Sequence, residues 1–168
     1  MATNLQFIKS ASGTSINSFD VTDCFSADYD VYFGKLETIG GTSGIKLRYL
    51  DTSNNPITSS IYDYAGLQMF GGASFIERRG TGQDAILKFG EASANGTNAE
   101  IYFFNPYDSS SYTFTKSIDP SIYSSAIFGE KAISVAKQTA TYTGVRFFTD
   151  NGSTMTSINF SVYGLASN

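Results

Sequence analysis

Histidine and tryptophan are absent from the 168 residues, and cysteine occurs once, at Cys24. Without histidine the chain cannot build a Ser-His-Asp or Cys-His unit, nor a zinc, copper or iron site with imidazole ligands. One cysteine allows neither an intrachain disulfide nor a thiolate cluster, so covalent cross-links do not stabilise the fold. Charge is scarce as well: 15% of residues are Asp, Glu, Lys or Arg, against about 25% in an average soluble domain. The net charge of −4 and the pI near 4.7 lack the basic excess that a sequence-independent grip on DNA or RNA needs, and no nucleic-acid partner is expected. No long apolar run follows the opening MATNLQFIKS. We therefore expect neither a secretion signal nor a membrane span, and a soluble protein made in a cytoplasm.

The missing charge is replaced by hydroxyls, with 23 Ser and 17 Thr, and by rings, with 14 Phe and 11 Tyr. Phe, Tyr and Thr favour strands, while the usual helix formers Glu, Lys and Leu are few. Patterning agrees. Ile45, Leu47 and Tyr49 alternate with Lys46 and Arg48, and Ile158, Phe160 and Val162 alternate with Asn159 and Ser161. Tyr112 and Phe114 alternate with Thr113 and Thr115 in the same way. This period of two marks half-buried strands, and places Ile45, Leu47, Phe114, Ile158, Phe160 and Val162 in the core. Two runs, Ile101–Phe104 and Val145–Phe148, are apolar on both faces. They read as central strands covered on both sides, or as strands whose second face another subunit buries.

Breakers fall between these segments at Gly40-Gly41, Asn54-Asn55-Pro56, Gly71-Gly72, Asn95-Gly96, Asn105-Pro106 and Asn151-Gly152. Asn-Gly is the favoured pair of a two-residue hairpin, so Phe147 and Ile158 are expected on neighbouring or hairpin-linked strands. After Asp119-Pro120 one helical turn is expected and no more. No repeat or composition shift divides the chain. The expectation is an all-β protein, a single antiparallel β-sandwich domain over residues 1–168 with about eight to eleven strands of roughly 5–6 residues.

Paired carboxylates are the acid–base chemistry left to a chain without histidine. On a strand, Asp28 and Asp30 would lie about 7 Å apart on one face, within the range of an inverting glycosidase. Such enzymes line a deep cleft with aromatic platforms, often Trp, and this chain has five Glu and no Trp. Asp28 ending a turn and Asp30 facing water is the preferred reading. Asp20 with Asp23, or Asp150 to Ser153, could offer oxygen ligands to calcium, but neither matches an EF-hand loop. Gly40 to Gly44 lacks the Lys and the helix of a phosphate-binding loop. Arg78-Arg79 before Gly80-Thr81-Gly82 is expected to meet neighbouring carboxylates, and Cys24 to be a small buried side chain. We expect no enzymatic activity, no cofactor and no metal.

The tyrosines exceed what one small core can hold, and Tyr is enriched where protein surfaces meet and where sugars stack. Tyr62 and Tyr64, beside the small Ala65-Gly66, suggest a subunit contact. Tyr102, Phe104 and Tyr163 are assigned to the same interface.

The segments ATNLQFIKS, DYDVYF, SIYDYAGLQMF and INFSVYGLA resemble small β-sandwich structural proteins of tailed phages, particularly those of marine and cyanobacterial hosts. The aromatic-Gly pair Tyr163-Gly164 closing the last strand is similar to trimeric jelly rolls of the tumour-necrosis-factor kind. The resemblance implies a jelly-roll-like virion component with no catalytic residues. The leading expectation is a head decoration (cement) protein that forms homotrimers and binds the major capsid protein or another virion protein. The second is a tail-fibre or adaptor module that recognises host glycans.

Overall fold

The computed structural model describes residues 4–72, 75–91, 93–123 and 125–166. The chain runs through β1 (Leu5–Ile16), β2 (Ser18–Val21), β3 (Val31–Ile39), β4 (Gly44–Leu50), β5 (Tyr62–Phe70) and β6 (Phe75–Gln83). It continues through β7 (Ile86–Glu91), β8 (Thr97–Phe104), β9 (Thr113–Tyr123), β10 (Ala126–Ala136), β11 (Gly144–Thr149) and β12 (Met155–Leu165). All pairings are antiparallel. They build an eight-stranded sheet, β1-β12-β3-β8-β9-β10-β5-β6, and a four-stranded sheet, β2-β11-β4-β7. The fold is an all-β sandwich, as expected.

Setting aside the hairpins β5–β6 and β9–β10, eight strands remain, and they alternate between the two sheets along the chain except at the midpoint, where β4 and β7 both lie in the small sheet. Their pairs β1·β12, β2·β11, β3·β8 and β4·β7 nest about the middle of the chain. A long antiparallel ribbon rolled over itself gives this order, and it is that of a jelly roll. The two hairpins lengthen the large sheet beyond β8 and account for the twelfth strand, one above the expected range.

Inward-facing side chains of both sheets form the core. Ile45, Leu47, Ile158, Phe160 and Val162 are fully buried there, as their alternation required. The rings of Phe147 and Phe160 meet across the sheets with centroids 5.0 Å apart. Tyr49 stacks on Tyr142 at 4.7 Å.

Three expectations are corrected. Phe114 points outward, 52% exposed, because the inner face of β9 is its polar one: Thr113, Thr115, Ser117, Asp119 and Ser121 are all buried. The region after Pro120 is strand rather than helical turn, since β9 runs through to Tyr123 and is already paired with β10. Phe147 and Ile158 lie in different sheets, so Asn151-Gly152 turns an arch between sheets instead of a hairpin. Gly152 supplies the positive φ of 74° that this arch needs, which Asn-Gly sequences favour whether or not the flanking strands pair.

Candidate interaction surface

The two outer faces of the sandwich are opposite in character. On the small sheet, charges answer one another. Arg146 forks onto Asp20 with two contacts of 2.5 and 2.6 Å, Lys46 meets Asp150 at 2.5 Å, and Arg48 pairs with Asp84. The Arg48 guanidinium also covers the Phe148 ring at 4.6 Å. Its hydrogen bond to Asp20 holds the Arg146 guanidinium above its already high ordinary pKa. This is a solvated face.

The large sheet's outer face is patterned like an interior. One cross-strand row spans all eight strands: Phe7, Tyr163, Phe33 and Tyr102 pair in succession across β1, β12, β3 and β8. The row continues through Lys116, Ile133, Ala65 and Arg79 on β9, β10, β5 and β6. The row beside it runs Leu5, Leu165, Val31, Phe104, Phe114, Val135 and Asp63. With strands about 4.8 Å apart, this band is about 34 Å wide. Rings meet along it, Phe7 with Tyr163 at 5.6 Å, Phe33 with Tyr102 at 5.2 Å and Tyr102 with Phe104 at 6.5 Å. Lys116 Nζ sits 5.7 Å from the centroid of the Tyr102 ring.

Beyond the band the face divides. Toward β1 it carries Ser10, Ser12, Asn159 and Ser161, whereas toward β6 it carries Leu67, Ile118, Ile127 and Phe75, all well exposed. Charges on the face cancel, Lys35, Lys116, Lys131 and Arg79 against Glu37, Glu77, Glu100 and Asp63, although the chain as a whole is acidic. Two hollows open among the added hairpins. One of about 590 Å³ lies over Pro120, lined by Phe33, Ile118, Ile127, Met69 and Phe75. Proline offers no N–H to a ladder. Among the described residues, β8 pairs with β9 at Thr97–Ser121 and Glu100–Ile118 but not at the two positions between. The second hollow, about 500 Å³, lies over Ala65 and Gly80, next to a register shift in the β5–β6 ladder between Tyr62 and Tyr64.

The edges of the large sheet, by contrast, are guarded. The β1 ladder is broken by a register shift between Phe7 and Lys9, and β6 presents Glu77, Arg78 and Arg79 in sequence, all exposed. Bulges and edge charges are the usual means of preventing strand addition. The face has no such protection.

Of the five assigned interface residues, three lie on this face: Tyr102, Phe104 and Tyr163. Tyr62 does not, and its assignment is corrected. It is fully buried, its hydroxyl accepting the Tyr49 N–H at 3.2 Å and donating to the Ile57 carbonyl at 3.1 Å. Tyr64 shares its inner side of the sheet, opposite Ser134, and is partly exposed. The residues that dominate the outer face, Phe7, Ile133 and Ile127, carry no motif. Only the register brings them together.

The acidic pairs are placed elsewhere. Asp28 and Asp30 lie in the irregular segment before β3 and not on a strand, and Asp28 accepts a hydrogen bond from Ser26 Oγ at 2.9 Å. Asp20 and Asp150 are engaged in the ion pairs above. Arg78 and Arg79, expected at carboxylates, form no ion pair among the described residues. Burial pushes the Cys24 thiol up to about 12, and it is the small interior side chain expected.

No protein-family model matches the chain, and no curated protein does. Solved structures resemble it loosely. A sucrose-6-phosphate hydrolase from Lactobacillus gasseri aligns with TM-score 0.37 and 11% identity over 92% of this chain and 29% of its own. A Bacillus endospore appendage, described as a disulfide-linked pilus, gives 0.32 and 6% over 99% and 96%. The Clostridium perfringens CspB protease gives 0.31 and 8% over 92% and 25%. The chain thus spans less than a third of the hydrolase and of the protease. Likenesses this weak carry no functional argument.

Proposed function

We propose that the chain is a structural component of a phage virion, a head decoration protein that assembles as a homotrimer on the capsid surface. The observation that carries this reading is the contrast between the two outer faces. A solvent-facing sheet gains nothing from two adjacent rows made mostly of apolar side chains, and large exposed apolar patches mark interaction sites. The jelly-roll framework and the sequence resemblance to tailed-phage sandwich proteins support the virion setting. No reaction is assigned to the chain.

Light scattering on the purified protein, followed by co-sedimentation with capsids that lack their decoration, tests the proposal. A trimer that pellets with capsids is the expected result. A monomer at all concentrations that neither pellets with capsids nor alters their stability overturns it. Binding of host glycans by a chain that ignores capsids would move it to a fibre tip.

A further inference from the structure

The aromatic band differs in relief at its two ends. On β1 a ring stands up: Phe7 is 60% exposed, edge-on to Tyr163, with Leu5 beside it in the next row. On β5 and β6 the same rows end in the smaller hollow, about 500 Å³, walled by Phe104, Phe114 and Ile133 over a floor of Ala65 and Gly80. Arg79 also lines it, in the row that began with Phe7. Phe7 and Ala65 at the floor of this hollow are six strands apart, about 29 Å, so a chain does not seat its own ring on its own Ala65.

We infer that Phe7 and Tyr163 of one copy seat in the Ala65 hollow of another copy. The inference rests on the self-assembly proposed above and adds the contact that holds it. The hollow offers apolar walls to the rings and a guanidinium to a ring face, a favourable pairing when desolvated. Because the charges of the face cancel, it draws neither a polyanion nor a polycation, whereas two copies of this acidic chain can approach on it without repulsion. The guarded edges of the large sheet oppose the other route, that sheet continued from copy to copy.

Complementary variants test the contact. Phe7→Ser removes the ring and leaves the hollow; Ala65→Phe fills the hollow and leaves the ring. Both positions are exposed on strands, so both variants should melt like the parent. Each alone should self-associate at least about tenfold more weakly, the loss typical of an interface anchor. Mixed in equal amounts, they should form a one-to-one pair in sedimentation velocity, because one supplies the ring and the other the hollow. A parent chain that stays monomeric overturns the self-assembly reading and this contact together. A parent that assembles, with variants that assemble equally well or fail to pair on mixing, overturns the contact and leaves self-assembly standing.

Discussion

The hydroxyl of Tyr49 and Oγ1 of Thr115 lie 2.6 Å apart in the closed interior, one from each sheet. Their hydrogen bond explains why β9 turns its threonines inward. The small sheet delivers a buried phenol that needs a partner, and an inward Thr115 satisfies it where Phe114 could not. Burial raises the Tyr49 pKa well above the usual tyrosine range, an effect the Thr115 bond partly offsets. Replacing Thr115 with Val keeps the shape and removes the partner. Urea unfolding should show a loss of about 1–3 kcal/mol, and the Tyr49→Phe, Thr115→Val double variant should recover part of it.

Truncating Phe160 to Ala, at the centre of the core against Phe147 and Phe103, should cost about 3–5 kcal/mol. The same truncation at Phe114 should change the stability of the dilute chain by less than about 0.5 kcal/mol. Comparable losses at both positions would contradict the phase of β9.

A methyl group added at Gly144 would lie 2.2 Å from the carbonyl oxygen of Val21, a backbone atom that cannot step aside without breaking the β2–β11 ladder. Gly144→Ala should therefore express as insoluble or strongly destabilised protein, whereas Gly72→Ala, with open space around it, should express normally. Soluble yield and melting temperature compare the two.

Alkali should unfold the protein. Burial holds the Cys24 thiol and the Tyr142 phenol each at about 12, and raises Tyr62 further. These groups are neutral in both states below their ordinary values, so their contribution is fully present there. Above about pH 9–10 the unfolded chain releases these protons first, and stability falls as pH rises toward the folded values. The urea midpoint at about pH 11 should lie below that at about pH 8, with tyrosinate absorbance rising together with unfolding.

What the sequence made legible were the strands whose polar and apolar sides meet water and core in the ordinary way. Ile45, Leu47 and Tyr49, and Ile158, Phe160 and Val162, lie where their alternation puts them. Phe114 breaks the rule because the large sheet has an apolar outer face and a partly polar inner one, where Gln68 donates to Glu130 at 2.8 Å and Thr115 meets Tyr49. A hydrophobic period locates a strand but not the side facing the core when both sides are buried or awaiting a partner. Tyr62 was misplaced for the same reason. Its ring reads as surface until the Ile57 carbonyl and the Tyr49 amide are found around its hydroxyl. The aromatic band is a property of register across eight strands, and no local pattern records it.

The position of β12 between β1 and β3 bears on how the molecule comes into being. A chain emerging residue by residue can close its hairpins early, β9 on β10 and β5 on β6, because their partners are local. The framework cannot follow suit. Until the last strand arrives, β1 has no neighbour and β3 lacks one of its two, so the large sheet stays open along a seam that only residues 155–165 can fill. Folding of the framework is thereby delayed until those residues are available, and it proceeds through long-range pairings that make such topologies slow.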